Sequence, residues 1–229
     1  MNNQDFHPLS IQPVLFSFDE SINQVELFPA VWKAAEDLTS PHQEVRREAL
    51  EQLALLNAPR FSPLIAYLLF TRITEPDIPI RSRVIQILGS IYKPDMDGKR
   101  APAEVVSHLA YHLSQMRVRQ IFALLEASSI NPSIIDAVEH LINRCPYAGH
   151  HLTEILMDRK MPLAIREKAA YIIGRVGFLD AIPALEKLIV RVEARLQGQS
   201  TMPFAPPQSQ DEIKLLPVVR QTLHVLQTP

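Results

Sequence analysis

The chain has 229 residues, 47% of them apolar, and its 23 Lys and Arg residues nearly balance its 25 Asp and Glu residues. The formal net charge of −2 argues against nucleic acid or an anionic membrane as the main partner. The single cysteine fits a reducing compartment, the N-terminus lacks a signal-peptide pattern, and no apolar stretch reaches the roughly 20 residues that a membrane span needs. We therefore expect a soluble cytoplasmic protein.

Residues 1–30 differ from the rest of the chain because they carry acidic residues but no Lys or Arg. The acidic positions are Asp5, Asp19, Glu20 and Glu26. This stretch is predicted to form an N-terminal arm or cap that covers the first helices. The alternative is an acidic, aromatic peptide that docks on another surface.

Residues 31–229 are predicted to be all-α. The chain has only 6 glycines but 19 prolines, and the prolines separate segments of helical periodicity. Because proline is tolerated in the first turn of a helix and breaks its interior, this spacing predicts short helices joined by tight turns. Eleven helices are predicted, at 31–39, 42–56, 61–73, 78–91, 102–115, 117–128, 132–144, 149–159, 162–176, 181–197 and 211–226.

Since eleven is odd, one helix pairing is irregular, and we place the irregularity at 132–159. The stretch "GQSTMPFAPPQSQ" (198–210) is predicted to be a mobile loop. The helix that follows is expected to cover the apolar end of the array.

Three of the predicted helices share a pattern in which an Arg directly follows the first residue of an apolar stripe. The Arg residues are Arg46, Arg81 and Arg166. The stripes are Val45, Ala49, Leu53 and Leu56; Ile80, Val84, Ile87, Leu88 and Ile91; and Ile165, Ala169, Ile172, Ile173 and Val176. Repetition of this kind is typical of solenoids.

Small residues recur at one further position of these helices, Ala54, Gly89 and Gly174. Their size predicts close approach of a neighbouring helix. Gly177 is predicted to end its helix in the left-handed conformation. Beyond it, Asp180 is predicted to be the N-cap of the next helix.

Two further Val-Arg pairs, in "VRQIFALLE" (118–126) and "VVRQTLHVL" (218–226), do not fit the repeat register. The first segment becomes amphipathic when its stripe is taken as Ile121, Leu124 and Leu125. The second is predicted to bury Val225 and Leu226.

The segment "LTEILMDRKMPLAIREKAAYIIGRVGFLDAIPALEKLI" (152–189) resembles a HEAT repeat of the short bacterial type found in phycobilisome-lyase-like proteins. The matching features, in order, are Asp158, Pro162, Arg166, Gly174, Gly177 and the "AIPAL" of 181–185. The resemblance extends in part to 31–91. It implies an α–α superhelix, a HEAT-like solenoid of about five helix pairs over 31–229. It also implies that the repeated Arg is structural, binding carbonyls or the turn Asp of an adjacent repeat.

Two histidine-containing clusters are candidate metal sites. His108 and His112 have the spacing of two ligands on one helical face, but no third ligand is evident. "CPYAGHH" (145–151) lacks a second Cys, and Cys145 is interpreted as a buried residue beside a helix start. We expect no bound metal and no cofactor.

The sequence contains no glycine-rich phosphate loop and no nucleophile elbow, so no catalytic residues are assigned and an enzyme is not expected. The outward side chains of the second helices are the candidate partner-binding residues on the concave face: Arg47, Glu48, Glu51, Arg83, Gln86, Lys168, Tyr171 and Arg175. Tyr171 and Arg175 are the favoured anchors, because Tyr and Arg dominate interface energetics. This predicts a non-catalytic scaffold or adaptor that binds a protein partner's peptide or helix.

Two alternatives use the same scaffold. Alkylpurine DNA glycosylases resemble HEAT proteins and use a basic channel, but residues 58–128 hold nine basic and six acidic residues, a small excess for tracking phosphates. A bilin lyase-like activity follows from the repeat type alone, and a shared fold is weak evidence for function.

Overall fold

The computed structural model describes residues 23–201 and 210–228, and in these ranges the chain forms α-helices and short 3₁₀ turns without any strand. The helices are α1 (Asn23–Asp37), α2 (Gln43–Leu55), α3 (Ala58–Phe61), α4 (Pro63–Thr71), α5 (Ile78–Ser90), α6 (Ala103–Ser114), α7 (Val118–Ile130), α8 (Ile135–Ile142), α9 (Ala148–Met157), α10 (Leu163–Val176), α11 (Ile182–Thr201) and α12 (Gln210–Gln227). The all-α prediction is confirmed. None of these helices has both the length and the apolar composition needed to cross a membrane.

Several prolines lie at helix starts as predicted, whereas Pro29 and Pro217 lie inside α1 and α12. Ser62 accepts a hydrogen bond from the backbone of Ile65 at 3.2 Å, and Pro63 is the first residue of α4. Asp77 caps α5 in the same way, accepting from the backbone of Ile80 at 2.9 Å. A side-chain cap combined with a proline that needs no hydrogen bond of its own fixes where each helix begins.

Five helices lie side by side in a row, which we call the helix row: α2, α5, α8, α10 and α12, each contacting the next. Within the row, α2 and α5 point the same way. Gln43 donates to Asp77 near both N-termini, at 2.6 Å, and Arg83 donates to Glu51 further along, at 2.8 Å.

The predicted close approach at the repeated small residues is confirmed at both glycines. A β-carbon added at Gly89 would lie 2.7 Å from Cβ of Ala137 on α8. One added at Gly174 would lie 3.4 Å from Cγ2 of Thr222 on α12. Glycine therefore lets α5 and α10 come close to the next member of the row.

The remaining long helices form a second layer behind the row, and the apolar core lies between the layers. Helix α1 packs on α2, α4 on α5 and α6, α9 on α10, and α11 on α12. Helix α7 lies at the centre, against α5, α8, α9 and α10. Its predicted stripe of Ile121, Leu124 and Leu125 is fully buried.

The irregular pairing was predicted at 132–159, whereas in the structure it involves α6, α7 and α8, and α9 packs on α10. Helix α8 belongs to the row, since it packs on α5 and α10, whereas α6 packs mainly on α4. The buried side chains along α8 and its flanks are Ile134, Val138, Leu141, Ile142 and Cys145. Their spacing repeats that of Ile80, Val84, Ile87, Leu88 and Ile91 in α5, so α8 is a further copy of the row helix.

Several local predictions need correction. Asp180 does not stand as the N-cap of α11. It lies in the 3₁₀ turn Leu179–Ala181, with its carboxylate against Gly149 at the start of α9. Val225 is 51% exposed rather than buried. Helix α12 instead buries its face along Leu215, Val219 and Thr222.

Gly177 ends α10 in the left-handed conformation as predicted, with a φ of 86°. At the two ends of the chain, residues 1–22 of the predicted arm lie outside the described residues. So do residues 202–209 of the predicted loop, while α11 continues to Thr201.

Candidate interaction surface

The repeated Arg residues join neighbouring elements, as the resemblance implies. Arg46 donates to the carboxylate of Glu75, at 2.6 and 3.1 Å, and to the carbonyl oxygens of Ser40 and Pro41. Glu75 is only 3% exposed. These contacts hold α2 against the turn that precedes α5.

The other two repeated Arg residues are buried. Arg81 donates to the carbonyl oxygen of Glu75 at 2.6 Å and to the carboxylate of Glu126 on α7 at 2.5 Å. Arg166 donates to the carbonyl oxygen of Leu156 at 2.9 Å. Burial of the Arg166 guanidinium lowers its pKa. These contacts explain the recurring place of Arg in the pattern by packing between helices rather than by chemistry on a ligand.

The predicted partner-binding residues all lie on members of the helix row, where they form what we call the row surface. They fall in two groups on either side of α8. One group is on α2 and α5 (Arg47, Glu48, Glu51, Arg83 and Gln86), and the other is on α10 (Lys168, Tyr171 and Arg175).

In the first group, Arg83 and Glu51 make a two-fold ion pair between α5 and α2, at 2.9 and 2.8 Å. Arg47 pairs with Glu44 on its own helix, and both side chains are more than half exposed. Glu48 is exposed on the same helix. Gln86 lines a cavity of about 190 Å³ between α2 and α5.

In the second group, two cations flank Tyr171. Lys168 Nζ lies 5.4 Å from the centre of the Tyr171 ring, and the guanidinium carbon of Arg175 lies 6.0 Å from it. The ring is still 43% exposed. A partly exposed tyrosine between two cations presents an apolar face with a polar rim.

Helix α8 supplies the acidic partner of this group, which sequence reasoning missed. Arg175 donates to both carboxylate oxygens of Glu139, at 3.0 and 3.2 Å. The hydrogen bond and the charge of Glu139 raise the pKa of Arg175. Asp136 of α8 adds a second carboxylate 4.0 Å away. Helix α8 therefore holds the guanidinium of Arg175 beside the ring of Tyr171.

The two histidine clusters show packing contacts. The ring of His112 lies 4.5 Å from that of Tyr67 and 5.7 Å from that of Phe70. Burial and the neighbouring His108 lower the pKa of His112. Among the described residues, no three His, Cys, Asp or Glu side chains come together as a metal site would require.

Cys145 is buried just before α9, as predicted, with Sγ 3.8 Å from the carbonyl oxygen of Met116. Burial raises the pKa of this thiol, which keeps it protonated and unreactive at neutral pH.

Comparison with known proteins adds no relative: no family model, no curated protein and no solved structure matches this chain.

Proposed function

We propose that this chain is a non-catalytic interaction scaffold that binds a peptide or helix of a protein partner along the row surface. The observation that carries the proposal is Tyr171, a 43% exposed ring held between Lys168 and Arg175. Because Glu139 already fixes Arg175, little side-chain freedom is lost when a partner binds. Tyr and Arg are the residue types that most often dominate binding energy.

In this proposal the layered helices form a HEAT-like solenoid and the row is its concave face. The support is the repetition within the row. Helices α5, α8, α10 and α12 carry buried or partly buried residues at the same spacing, as in Leu215, Val219, Thr222, Leu223 and Leu226 of α12. Repeats stacked in this way create the extended surfaces on which solenoid proteins bind partners.

The charge pattern of the row surface favours protein over nucleic acid. Arg83 and Arg175 each make a two-fold ion pair with a carboxylate, and Arg47 pairs with Glu44. Phosphate tracking requires several cations that are available to the backbone. Acidic and basic residues in alternation instead suit a partner that carries both signs of charge.

Site-directed photocrosslinking tests the proposal directly. A benzophenone amino acid replaces Tyr171 in the full chain, and the matched control places it at Tyr111, which is 64% exposed on α6 outside the row. After irradiation in a lysate of the source organism, we expect a discrete adduct from position 171 whose peptide can be identified by mass spectrometry. If position 111 captures the same peptide, or if position 171 captures none, the row surface is not the binding surface.

A variant pair then measures the contribution of the anchors. Tyr171→Ala/Arg175→Ala is expected to weaken binding of the identified peptide by at least about tenfold, because anchor residues contribute about 2 kcal/mol or more. Tyr111→Ala/Arg119→Ala removes the same two residue types from the opposite layer and should leave the affinity unchanged. A salt-sensitive affinity of the wild-type chain for duplex DNA that the anchor variant abolishes would instead support the nucleic-acid alternative.

A further inference from the structure

The cavity between α2 and α5 opens on the row surface, since Arg83 and Gln86 line it together with Asn57, Arg60 and Ser90. Its volume is about 190 Å³. A water molecule needs only about 10–15 Å³ of such space. The cavity therefore has room for one amino-acid side chain of moderate length together with ordered water.

The backbone forms the cavity at a place where the equivalent residues of α5 and α10 lie close to the next helix. Ala54 of α2 occupies the position equivalent to Gly89 and Gly174, which lie against the next helix, yet Ala54 lines open space. Asn57 follows in the left-handed conformation, with a φ of 54°. Asn accepts this conformation more readily than most residues. The turn carries the chain into α3 and brings Arg60 beneath the C-terminal half of α5.

Arg60 gives the cavity its charge. The residue is 5% exposed and donates to three carbonyl oxygens, those of Ser90, Lys93 and Lys99, at 3.1, 2.9 and 2.5 Å. Its Nε has no hydrogen-bond partner, and Asp95 Oδ2 lies 4.0 Å from it. Three carbonyl oxygens and a carboxylate 4.0 Å away leave the Nε of this buried guanidinium without a hydrogen bond, whereas a buried charge is stable only when it is paired and hydrogen-bonded.

The rest of the lining is partly apolar (Ala54, Pro59, Ile87 and Ile91), and its polar members can donate hydrogen bonds. The described lining residues include two Arg residues, two carboxamides and a hydroxyl, but no carboxylate. Arg83 stands where the cavity meets the row surface, paired with Glu51 on the α2 side. An anion that enters would meet cationic groups and amide donors, although Glu51 and Asp95 each already pair with one of the two Arg residues.

We propose that this cavity binds the carboxylate of a single acidic side chain, Asp or Glu, of the bound partner segment. The inference rests on the proposed function for its partner, and it assigns that partner an acidic residue where it crosses α2 and α5. Guanidinium groups and amide N–H groups are the donors that recognise a carboxylate. Tyr171, on the far side of α8, would contact a different part of the same segment.

NMR titration of the full chain tests the cavity without any partner. The probes are N-acetyl-glutamate N-methylamide, its glutamine analogue as the neutral match, and N-acetyl-alanine, which carries a C-terminal carboxylate instead. We expect saturable shifts of the Asn57 and Gln86 side-chain amide signals and of Arg83 Nε–H with the glutamate probe. The glutamine probe should leave these signals unchanged. Saturable shifts with the glutamine probe, shifts with N-acetyl-alanine alone, or no shifts with any probe would each overturn the proposal.

A negative charge introduced at the cavity wall gives the second measurement. Gln86→Glu places a carboxylate where the ligand's carboxylate is expected. It should lower the affinity for the glutamate probe by at least about tenfold. Gln52→Glu makes the same change at an exposed position of α2 that does not line the cavity, and it should have no effect. Equal weakening by both variants would mean that the probe responds to overall charge, which overturns the cavity assignment.

The carboxylate-binding proposal for the cavity and the scaffold proposal that rests on Tyr171 can fail separately. A negative titration with intact crosslinking from position 171 removes the cavity and keeps the interaction surface. A positive titration without crosslinking leaves a carboxylate-binding cavity on a chain whose proposed scaffold function has failed.

Discussion

The two ends of the helix row use the same helix pattern to different effect. Between α10 and α12, Gly174 lies against Thr222, whose hydroxyl donates to the carbonyl oxygen of Ala170 at 3.0 Å. Between α2 and α5, the equivalent residue is Ala54, and it lines a cavity. The repeat therefore sets the spacing of buried residues along each helix. Single residues decide whether two neighbouring row helices pack closely against each other or leave a cavity at their interface, which we call a seam.

The largest expected effects test whether both ends share one core. Leu53 in α2 and Ile173 in α10 occupy the same position of the pattern, and both are fully buried. Replacing either by Ala should lower the free energy of unfolding by about 2–5 kcal/mol, because a cavity replaces well-packed methyl groups. Urea denaturation monitored by circular dichroism measures this. A loss below about 1 kcal/mol at one end only would show that the core does not extend evenly along the row.

The next effect concerns the tightest seam. Gly89→Ala should destabilise the protein by about 1–3 kcal/mol, as overpacking does in a filled core. The added carbon would lie 2.7 Å from Cβ and 3.1 Å from Cα of Ala137, so α8 itself has to move. Thermal and urea unfolding of the variant measure the change. An unchanged or raised stability would mean that α5 and α8 lie further apart than described.

Gly174→Ala provides the contrast at the equivalent position of α10. The added carbon would meet Cγ2 of Thr222 at 3.4 Å, an ordinary contact distance. Replacing a helical Gly by Ala gains about 0.5–1 kcal/mol of helix stability. We therefore expect a rise of the unfolding free energy of up to about 1 kcal/mol in the same denaturation experiment. A clear destabilisation would place this seam in the same class as that of Gly89.

The helices of the row could be predicted from the sequence where both the apolar stripe and the Arg that follows its first residue are present. Helices α2, α5 and α10 were found because an Arg follows the first apolar residue, and the structure explains that Arg by its contacts between helices. Helix α8 has Ile135 at the Arg position, so it was not recognised as a copy. The spacing of its apolar residues alone was sufficient to find it.

The register of α12 was missed for a different reason. Thr222 is polar but only 5% exposed, because its hydroxyl is satisfied by the carbonyl oxygen of Ala170 on α10. The prediction takes the stripe from Val218, which places Val225 inside, whereas the buried stripe begins at Leu215. The hydrogen bond that holds Thr222 against α10 cannot be found from the sequence of α12.

The sequence predicted which residues lie on the row surface, but not which residues form ion pairs there. Exposure of Arg83 and Arg175 follows from position on the helix, whereas the identity of their partners depends on which neighbouring helix lies beside them. Glu51 is on the preceding copy, and Glu139 is on the unrecognised α8. The cavity depends in addition on the left-handed turn at Asn57, which no pattern in the sequence indicated.

The smallest expected stability effects come from these two ion pairs, and their functional effects should differ. Glu51→Gln and Glu139→Gln each remove the carboxylate from an ion pair whose Arg is well exposed, so each should change the free energy of unfolding by less than about 1 kcal/mol. Glu139→Gln releases Arg175 from its fixed position and should weaken binding of the partner segment at Tyr171. Glu51→Gln releases Arg83 toward the cavity and removes a negative charge beside it, so the glutamate probe should bind more tightly. The affinities of the two variants for the crosslinked peptide and for the glutamate probe measure these two different effects. Equal effects of both substitutions on both ligands would show that the two ends of the row surface do not act separately.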